Sequence, residues 1–332
     1  MADSGRVEAL ARGVRAGERR ALARAITLVE SSRDEDRPDA EALLAALLPD
    51  SGRSIRLGIS GVPGVGKSTF IEAFGLHVIG RGHRVAVLAV DPSSKVSGGS
   101  ILGDKTRMEM LSRHPHAFIR PSPAGRTLGG VARRTREAML LVEAAGFDVV
   151  IVETVGVGQS ETTVAEMVDL FLLLLLPGGG DELQGLKKGI VEIADLLLVN
   201  KADGDLAPAA KRTAADYRGA VRMLRPSNPP WKPEVEPVSA VTGEGLAAAW
   251  GTVERYRTLM DGAGALARRR GAQARSALWT EIESGLLAAF RQDPAIADRI
   301  AETERLVTGG RQTPAAAGRD LVGRFLGRKS AG

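Results

Sequence analysis

The sequence contains no cysteine, only four histidines and few aromatic residues. Without cysteine the chain forms neither disulfide bonds nor thiolate metal or redox sites, which excludes the protein classes that depend on them. Aromatic residues make up 4% of the chain, so few side chains are available for nucleic-acid bases to stack on. Although the net charge is +5, we therefore expect no nucleic-acid partner.

The sequence also lacks a long apolar run. Its most apolar stretch, 170–176, is far shorter than the roughly 20 residues of a membrane-spanning helix, so we interpret it as a buried strand and expect no membrane association. The N-terminus lacks the apolar core of a secretory signal. These features predict a cytoplasmic protein, or a protein of an organelle matrix if a transit peptide has been removed.

Short apolar segments alternate with helical patterns in the central part of the chain. The apolar segments are almost continuously hydrophobic, as are strands of a parallel sheet covered on both faces. Helical stretches between them indicate βαβ units. We therefore predict an α/β fold with a mostly parallel sheet and helices on both faces. The predicted strands are 55–60, 85–90, 118–120, 149–153, 170–176, 196–200 and 235–239.

Helical periodicity dominates both ends of the chain. Before residue 50, apolar residues recur at helical spacing, and 31–34 is predicted to separate two helices. After Ala247, segments rich in Arg and Ala continue to the C-terminus as helices. Their predicted breaks lie near 262–264, 293–294 and 309–310, where Gly or Pro interrupts the pattern.

A phosphate-binding motif directly follows the first predicted strand. Residues 61–68 match G-x-x-x-x-G-K-[ST] and precede a helical stretch, which is the context that a P-loop requires. Glycines let main-chain N–H groups surround phosphate oxygens. Lys67 is predicted to reach the β- and γ-phosphates and Ser68 to bind Mg²⁺. The predicted nucleotide-binding residues here are Gly61, Val62, Pro63, Gly64, Val65, Gly66, Lys67, Ser68 and Thr69.

Acidic residues follow two further strands. The carboxyl ends of parallel strands face the ligand crevice, and Asp91 and Glu153 occupy such ends. The segment 153–156 has Glu where many GTPases have Asp-x-x-Gly, and the Gly156 N–H is predicted to sense the γ-phosphate. Asp104 is predicted to be a further acid that binds the metal shell or orients water. The predicted metal ligands are Ser68, Asp91, Asp104 and Glu153, and the predicted catalytic residues are Lys67, Asp104 and Glu153.

The segment 200–203 has the sequence Asn-Lys-Ala-Asp, which matches the N-K-x-D motif. The Asp203 carboxylate can accept hydrogen bonds from guanine N1–H and the 2-amino group. Adenine offers neither donor, and a site built for such pairing rejects the analogue by up to about 10⁴–10⁵. Asn200 is predicted to brace the loop and Lys201 to pack along the base. Main-chain contacts to guanine are predicted from Ser239, Ala240 and Val241.

Together these motifs resemble the MeaB/ArgK family of P-loop GTPases. The most specific runs are 98–108 and 153–160, and the resemblance spans most of residues 55–245. It implies a P-loop NTPase fold that binds GTP or GDP with Mg²⁺ and hydrolyses GTP. The resembling segments are 61–68, 89–94, 98–108, 120–123, 153–160, 181–188 and 200–203.

The resemblance further implies a cellular role. Members of the family are chaperones of adenosylcobalamin-dependent methylmalonyl-CoA mutase, which use GTP to gate cofactor delivery and protect the mutase from inactivation. It implies a homodimer formed with the C-terminal arm, and a switch loop at 178–188 in which Gln184 and Lys187 couple the nucleotide state to the mutase. The predicted divisions are a helical extension at 1–52, a P-loop GTPase domain at 53–255 and a helical dimerisation arm at 256–332.

Three alternatives stay open at this stage. A nickel-delivery or other metallocentre-assembly GTPase would need metal ligands, for which His114 and His116 are the candidates. A kinase or ATPase tied to amino-acid transport fits poorly with Asp203, because that carboxylate selects guanine. The positive net charge is the support for a nucleic-acid or membrane-associated protein that uses GTP as a conformational latch.

Overall fold

Seven strands form one sheet in the computed structural model, which describes residues 4–90, 108–121, 128–154, 160–178 and 188–329. The strands are β1 (Ile55–Gly61), β2 (Val85–Val90), β3 (Ala117–Pro121), β4 (Val149–Thr154), β5 (Leu170–Leu175), β6 (Leu196–Val199) and β7 (Glu234–Pro237). Their order is β3-β2-β4-β1-β5-β6-β7, and every pairing is parallel. The predicted α/β class with a parallel sheet is confirmed.

Helices precede, connect and follow the strands. They are α1 (Ser4–Arg15), α2 (Arg19–Glu30), α3 (Arg37–Leu47), α4 (Lys67–Gly80), α5 (Glu109–Arg113), α6 (Leu128–Ala144), α7 (Ser160–Ala165), α8 (Lys188–Ile193), α9 (Ala207–Val221), α10 (Leu246–Gly262), α11 (Ala265–Gln292), α12 (Pro294–Thr308) and α13 (Pro314–Lys329). The predicted breaks in the C-terminal helices are confirmed. Within the described ranges, none of these helices has the length and apolar character needed to cross a bilayer.

The N-terminal region contains three helices, so the prediction of two was wrong. The additional break lies between α1 and α2 at Gly17, which has a φ of 72°. Helices commonly end at a glycine with positive φ, because a side chain makes that conformation costly. The Gly17 N–H donates to the Val14 carbonyl at 2.9 Å, and the Glu18 N–H donates to the Gly13 carbonyl at 3.0 Å. Apolar spacing continues across this break, which is why periodicity did not reveal it.

Side chains of β5 alternate between two core layers. Phe171 and Leu173 pack in the layer that contains side chains of α2 and α3. Leu172 and Leu174 pack in the opposite layer, with side chains of α4 and α10. Each such leucine is fully buried, which contributes roughly 1.5–3 kcal/mol. Burial on both faces explains why the strand is apolar throughout and does not alternate with polar residues.

The chain divides into two compact units, Met1–Gln273 and Ala274–Gly332. In the first unit, Leu22 of α2 and Leu43 of α3 belong to the same core layer as the sheet. In the second unit, the rings of Phe290 on α11 and Phe325 on α13 lie 5.4 Å apart. The proposed domain divisions after residues 52 and 255 stay predictions.

A buried ion pair joins β1 to the end of α6. Both oxygens of Glu143 accept hydrogen bonds from Arg56, at 2.8 and 2.9 Å. The Ser54 hydroxyl and the Gly52 N–H also donate to Glu143, at 2.5 and 2.7 Å. Burial alone would raise the pKa of Glu143, but the hydrogen bonds and charge of Arg56, with those from Ser54 and Gly52, outweigh it and lower the pKa.

We predict that Glu143→Gln lowers the free energy of unfolding at pH 7 by about 3 kcal/mol, because it leaves Arg56 half-buried without its anionic partner. A lowered carboxyl pKa stabilises the fold above the unfolded-state value, about 4.3, and that stabilisation is lost as pH falls through the lower folded-state value. The difference between variant and wild type should therefore be full at pH 7 and 5 and smaller near pH 3, in urea unfolding.

The control is Glu41→Gln, which removes an exposed partner of Arg37 and should cost less than about 1 kcal/mol. A difference for Glu143→Gln that is independent of pH would contradict the role assigned to the ionised carboxylate.

Candidate nucleotide-binding site

The predicted P-loop, 61–68, connects the carboxyl end of β1 to α4. Gly64 and Gly66 have φ angles of 81° and 89°, a conformation that favours glycine. A Cβ atom on Gly66 would lie 3.0 Å from Nδ2 of Asn200, and one on Gly61 would lie 2.7 Å from the Leu174 carbonyl oxygen. The motif's glycines are therefore needed both for the turn and for close packing against β5 and the segment that follows β6.

The position of β1 in the sheet places the P-loop in a crevice. After β1 the chain crosses to β2 on one side, and after β4 it crosses to β5 on the other side of β1. Connections that leave a parallel sheet in opposite directions open a crevice at the carboxyl ends of the strands. The P-loop lies at this crevice, which is the usual location of ligand sites in α/β sheets.

Lys67 lies in the first turn of α4, and its side chain returns across the P-loop. Its Nζ donates to the Gly61 carbonyl oxygen at 2.8 Å. Burial lowers the pKa of Lys67, while the charges of Glu153 and Glu161 act in the opposite direction. Phosphate oxygens near this ammonium group would favour its charged form further. The side chain is thus held where a triphosphate would meet it.

Asn200 connects the P-loop to two other loops. Its Nδ2 donates to the Val65 carbonyl oxygen at 2.9 Å, and its Oδ1 accepts from the Ala240 N–H at 3.2 Å. The residue is 2% exposed. One amide side chain therefore bridges the phosphate-binding loop, the N-K-x-D segment and the loop after β7. This bridge fixes the P-loop, the N-K-x-D segment and the loop after β7 relative to one another.

The carboxylate of Asp203 is oriented by Ser239. The Ser239 hydroxyl donates to Asp203 and accepts from the Thr242 N–H at 3.0 Å. Lys201 has a φ of 58°, which is uncommon for a residue with a side chain, and its Nζ donates to the Gly64 carbonyl at 2.9 Å. The segment is therefore anchored from two sides, with Asp203 held by its neighbour in the next loop.

The loop after β7 also contains the other predicted base contacts. The Ala240 N–H already donates to Asn200, and the Val241 side chain is 80% exposed. A large apolar side chain that exposed is available to cover a bound base. The arrangement places Ser239, Ala240 and Val241 next to Asp203 in space, although more than 30 residues separate them from it along the chain.

Two of the predicted metal ligands lie within the described residues. Ser68 occupies the first turn of α4, and Glu153 lies at the carboxyl end of β4, paired in register with Ile59 of β1 and Ala89 of β2. Glu153 is 4% exposed and acts electrostatically on Lys67. A hydroxyl and a carboxylate are hard oxygen donors that suit Mg²⁺, so these two residues fit that ion. The predicted residues Asp91, Asp104, Gly156, Gln184 and Lys187 lie outside the described residues.

Sequence analysis missed Glu161. This residue is 3% exposed, lies in the first turn of α7, and influences the pKa of Lys67. The available signal was an acidic residue in the first turn of the helix that follows the 153–156 motif. Acidic residues are favourable at that position because of the helix dipole, and this local explanation concealed its proximity to the P-loop.

The two histidines of the metallocentre alternative lie close together. Their ring centroids are 5.7 Å apart, and Nδ1 of His114 accepts a hydrogen bond from the His116 N–H at 3.2 Å. That hydrogen bond occupies one potential metal-binding nitrogen of His114. No group of three or more potential His, Cys, Asp or Glu ligands occurs among the residues described.

Known proteins resemble this chain along most of its length. A family model described as methylmalonyl Co-A mutase-associated GTPase MeaB matches residues 22–295. A Caulobacter vibrioides protein named as a GTPase is 57% identical over 316 residues, covering 95% of this chain and 96% of that protein. The mitochondrial methylmalonic aciduria type A homolog of Mus musculus is 47% identical, covering 97% of this chain and 80% of that protein. A crystal structure described as an LAO/AO transport system kinase has a TM-score of 0.78 and 37% identity, covering 98% and 99% of the two chains.

We predict that Asn200→Ala weakens binding of GDP by about 10- to 100-fold, because it removes the two hydrogen bonds of the Asn200 side chain and leaves a buried carbonyl and N–H without partners. Isothermal titration calorimetry measures the affinity. The matched control is Asn228→Ala, which removes an amide that donates to Asp195 away from the P-loop. Equal GDP affinity in wild type and Asn200→Ala would contradict the bridging role.

Proposed function

Because the chain belongs to the MeaB family of methylmalonyl-CoA mutase-associated GTPases, we propose that it uses Mg-GTP hydrolysis to gate adenosylcobalamin delivery to methylmalonyl-CoA mutase, or a related acyl-CoA mutase, and to protect that enzyme from inactivation. The observation that carries the nucleotide part is the buried Asn200 bridge between the P-loop and the N-K-x-D segment. The family description supports the choice of client.

Binding of the triphosphate depends on the P-loop. Main-chain N–H groups of the loop and the start of α4 surround the phosphates, and the Lys67 ammonium exchanges the Gly61 carbonyl for phosphate oxygens. Ser68 and Glu153, with Asp91 and Asp104, would hold Mg²⁺. The ion, when bound, neutralises charge on the β- and γ-phosphates.

Selection of guanine depends on Asp203. Its carboxylate accepts hydrogen bonds from the N1–H and 2-amino groups of the base, in an orientation set by Ser239. Adenine leaves this carboxylate without donors, and the desolvation cost of an unpaired charge then opposes binding. Lys201 and Val241 pack against the base, while Asn200 and Ala240 keep the surrounding loops in place.

Hydrolysis requires in-line attack of water on the γ-phosphate, which needs positioning and charge neutralisation more than covalent chemistry. Lys67 supplies positive charge, Glu153 and Asp104 act on the metal shell and water, and the Gly156 N–H senses the γ-phosphate. The sequence offers no obvious arginine finger, with Arg107 and Arg126 as weak candidates, so we expect slow intrinsic turnover that the mutase accelerates. Gln184 and Lys187 are the proposed residues that couple the nucleotide state to the mutase.

The test is phosphate release from GTP and ATP, with and without purified methylmalonyl-CoA mutase. We expect GTP to be hydrolysed at least about 100-fold more efficiently than ATP, and the mutase to raise kcat about tenfold or more. Lys67→Ala should abolish both the basal and the stimulated rates. Comparable use of ATP would overturn the nucleotide assignment, and a rate unaffected by the mutase would overturn the chaperone assignment.

An exposed apolar face of α11, in the second compact unit, supports the proposed homodimer. Leu278, Ile282 and Leu286 recur one helical turn apart on α11 and are 58%, 38% and 58% exposed. The adjacent Trp279 is 56% exposed. Four large apolar side chains on one helix exceed the scattered exposure normal for a monomer, and such patches mark interaction sites. We propose that this face of the C-terminal arm contacts a second copy of the chain.

We predict that the double variant Trp279→Glu/Leu286→Glu converts the dimer to a monomer, because two buried carboxylates would replace apolar contacts at the interface. Multi-angle light scattering should give about twice 34.9 kDa for wild type and 34.9 kDa for the variant. Arg291→Glu, an exposed charge change on the same helix but on the side opposite these four residues, is the control and should stay dimeric. A monomeric wild-type protein would rule out the proposed dimer.

A further inference from the structure

Helix α7 begins directly after the 155–159 segment and contains six residues. A helix this short has no stability of its own in water, so contacts with the rest of the protein set its position. On its inner side it packs against β1 at Gly58. A Cβ atom on Gly58 would lie 3.0 Å from Cγ1 of Val164 and 2.9 Å from Cγ2 of Val168. The missing side chain of Gly58 therefore lets α7 approach the strand that carries the P-loop.

Two side chains of α11 hold the other end of α7. Arg269 donates to the Ala165 carbonyl oxygen through Nη2 and to the Val168 carbonyl oxygen through Nε, both at 3.1 Å. Gln273 donates to the same Val168 carbonyl at 2.8 Å. The last carbonyls of a helix have no partner within the helix. Arg269 and Gln273 supply these partners at the carboxyl end of α7 and immediately beyond it.

The beginning of α11 is itself fixed to the sheet. Arg270 forms a bidentate pair with Asp169, at 2.8 and 2.6 Å, and Asp169 is fully buried. Arg270 also donates to the carbonyls of Gly52 at 2.5 Å and Ser54 at 2.6 Å, next to the start of β1. Arg270 attaches the beginning of α11 to the starts of β1 and β5. Because Arg269 is the adjacent residue, its hydrogen bonds fix the position of α7 relative to the same strands.

We propose that Arg269 and Gln273 are positioning residues for GTP hydrolysis. They hold the carboxyl end of α7 against a fixed reference, and Gly58 sets its distance from β1. The position of α7 relative to β4 is thereby fixed, and the carboxyl end of β4 carries Glu153, the acid proposed to act on the metal shell and water. This inference rests on the proposed GTPase activity at the P-loop. Both residues act through α7 and are not catalytic residues.

Loss of the α7 anchor is expected to affect interactions with the γ-phosphate but not those with the rest of the nucleotide. The P-loop and Asn200 bind the parts common to GDP and GTP, and the hydrogen bonds of Lys67 and Asn200 go to Gly61, Val65 and Ala240, all outside α7. Loss of the α7 anchor should therefore leave GDP binding intact. It should weaken binding of a non-hydrolysable GTP analogue and lower kcat, since a small displacement of a catalytic element is costly for rate.

The experiment compares Arg269→Gln and Gln273→Leu with the control Arg268→Gln, which removes an exposed charge one residue away. Steady-state kinetics give kcat and KM, and calorimetry gives affinities for GDP and for the GTP analogue. We expect kcat to fall about tenfold in Arg269→Gln, with GDP affinity changed less than about twofold. Gly58→Ala, which displaces α7 from the opposite side, should give the same signature, and Arg269→Lys should partly restore kcat.

Several results would overturn the proposal. In the first, Arg269→Gln lowers the melting temperature but leaves kcat and the ratio of GTP-analogue affinity to GDP affinity at their wild-type values. That result would indicate a merely structural role. Another is an equal loss of affinity for both nucleotides. If Arg269→Gln does not fold, a wild-type kcat in Gln273→Leu also overturns it. Absence of GTP hydrolysis by the wild-type protein would overturn the proposed function, whereas wild-type hydrolysis with unaffected variants removes this inference alone.

Discussion

The nucleotide site depends on one buried amide. Asn200 uses both ends of its side chain, donating to Val65 in the P-loop and accepting from Ala240 after β7. In a buried environment an unmade hydrogen bond costs more than a made one contributes, so Asn200 strongly favours the joint arrangement of the three loops that it connects. At the proposed site, a guanine nucleotide would bind between two loops whose separation is already fixed, which reduces the ordering cost of binding.

The sheet separates this site from the groups that stabilise the fold. The site lies at the carboxyl edge, where the strands end in loops. At the opposite edge, the buried pairs Arg56–Glu143 and Arg270–Asp169 connect β1, β5, α6 and α11. The buried charges at that edge are paired with each other and form further hydrogen bonds to neighbouring backbone groups. Charged groups at the carboxyl edge can therefore exchange partners with a ligand while the fold is held from the other side.

Sequence predicted those features whose residues are close together along the chain. The P-loop and the N-K-x-D segment are contiguous, and the apolar runs of the strands follow from burial on both faces, so the sheet and the position of the motifs could be derived. Asp169 and Arg270 are 101 residues apart, and nothing local in either segment indicates that they pair. Glu161, Arg269 and Gln273 were missed for the same reason, since their roles depend on neighbours brought close by folding. The helix break at Gly17 was missed because apolar spacing continues across it.

Three charged side chains proposed to contact the nucleotide have a partner within the protein. Lys67 donates to Gly61, Lys201 donates to Gly64, and Asp203 accepts from Ser239. Nucleotide binding therefore exchanges hydrogen bonds and does not simply add them, so each exchange contributes modestly to affinity. The free-energy difference between bases is expected to be larger. A base that buries Asp203 without donating to it removes water from the carboxylate and supplies no hydrogen bond in its place. The proposed selectivity for guanine thus arises mainly from the cost that other bases would impose on this carboxylate.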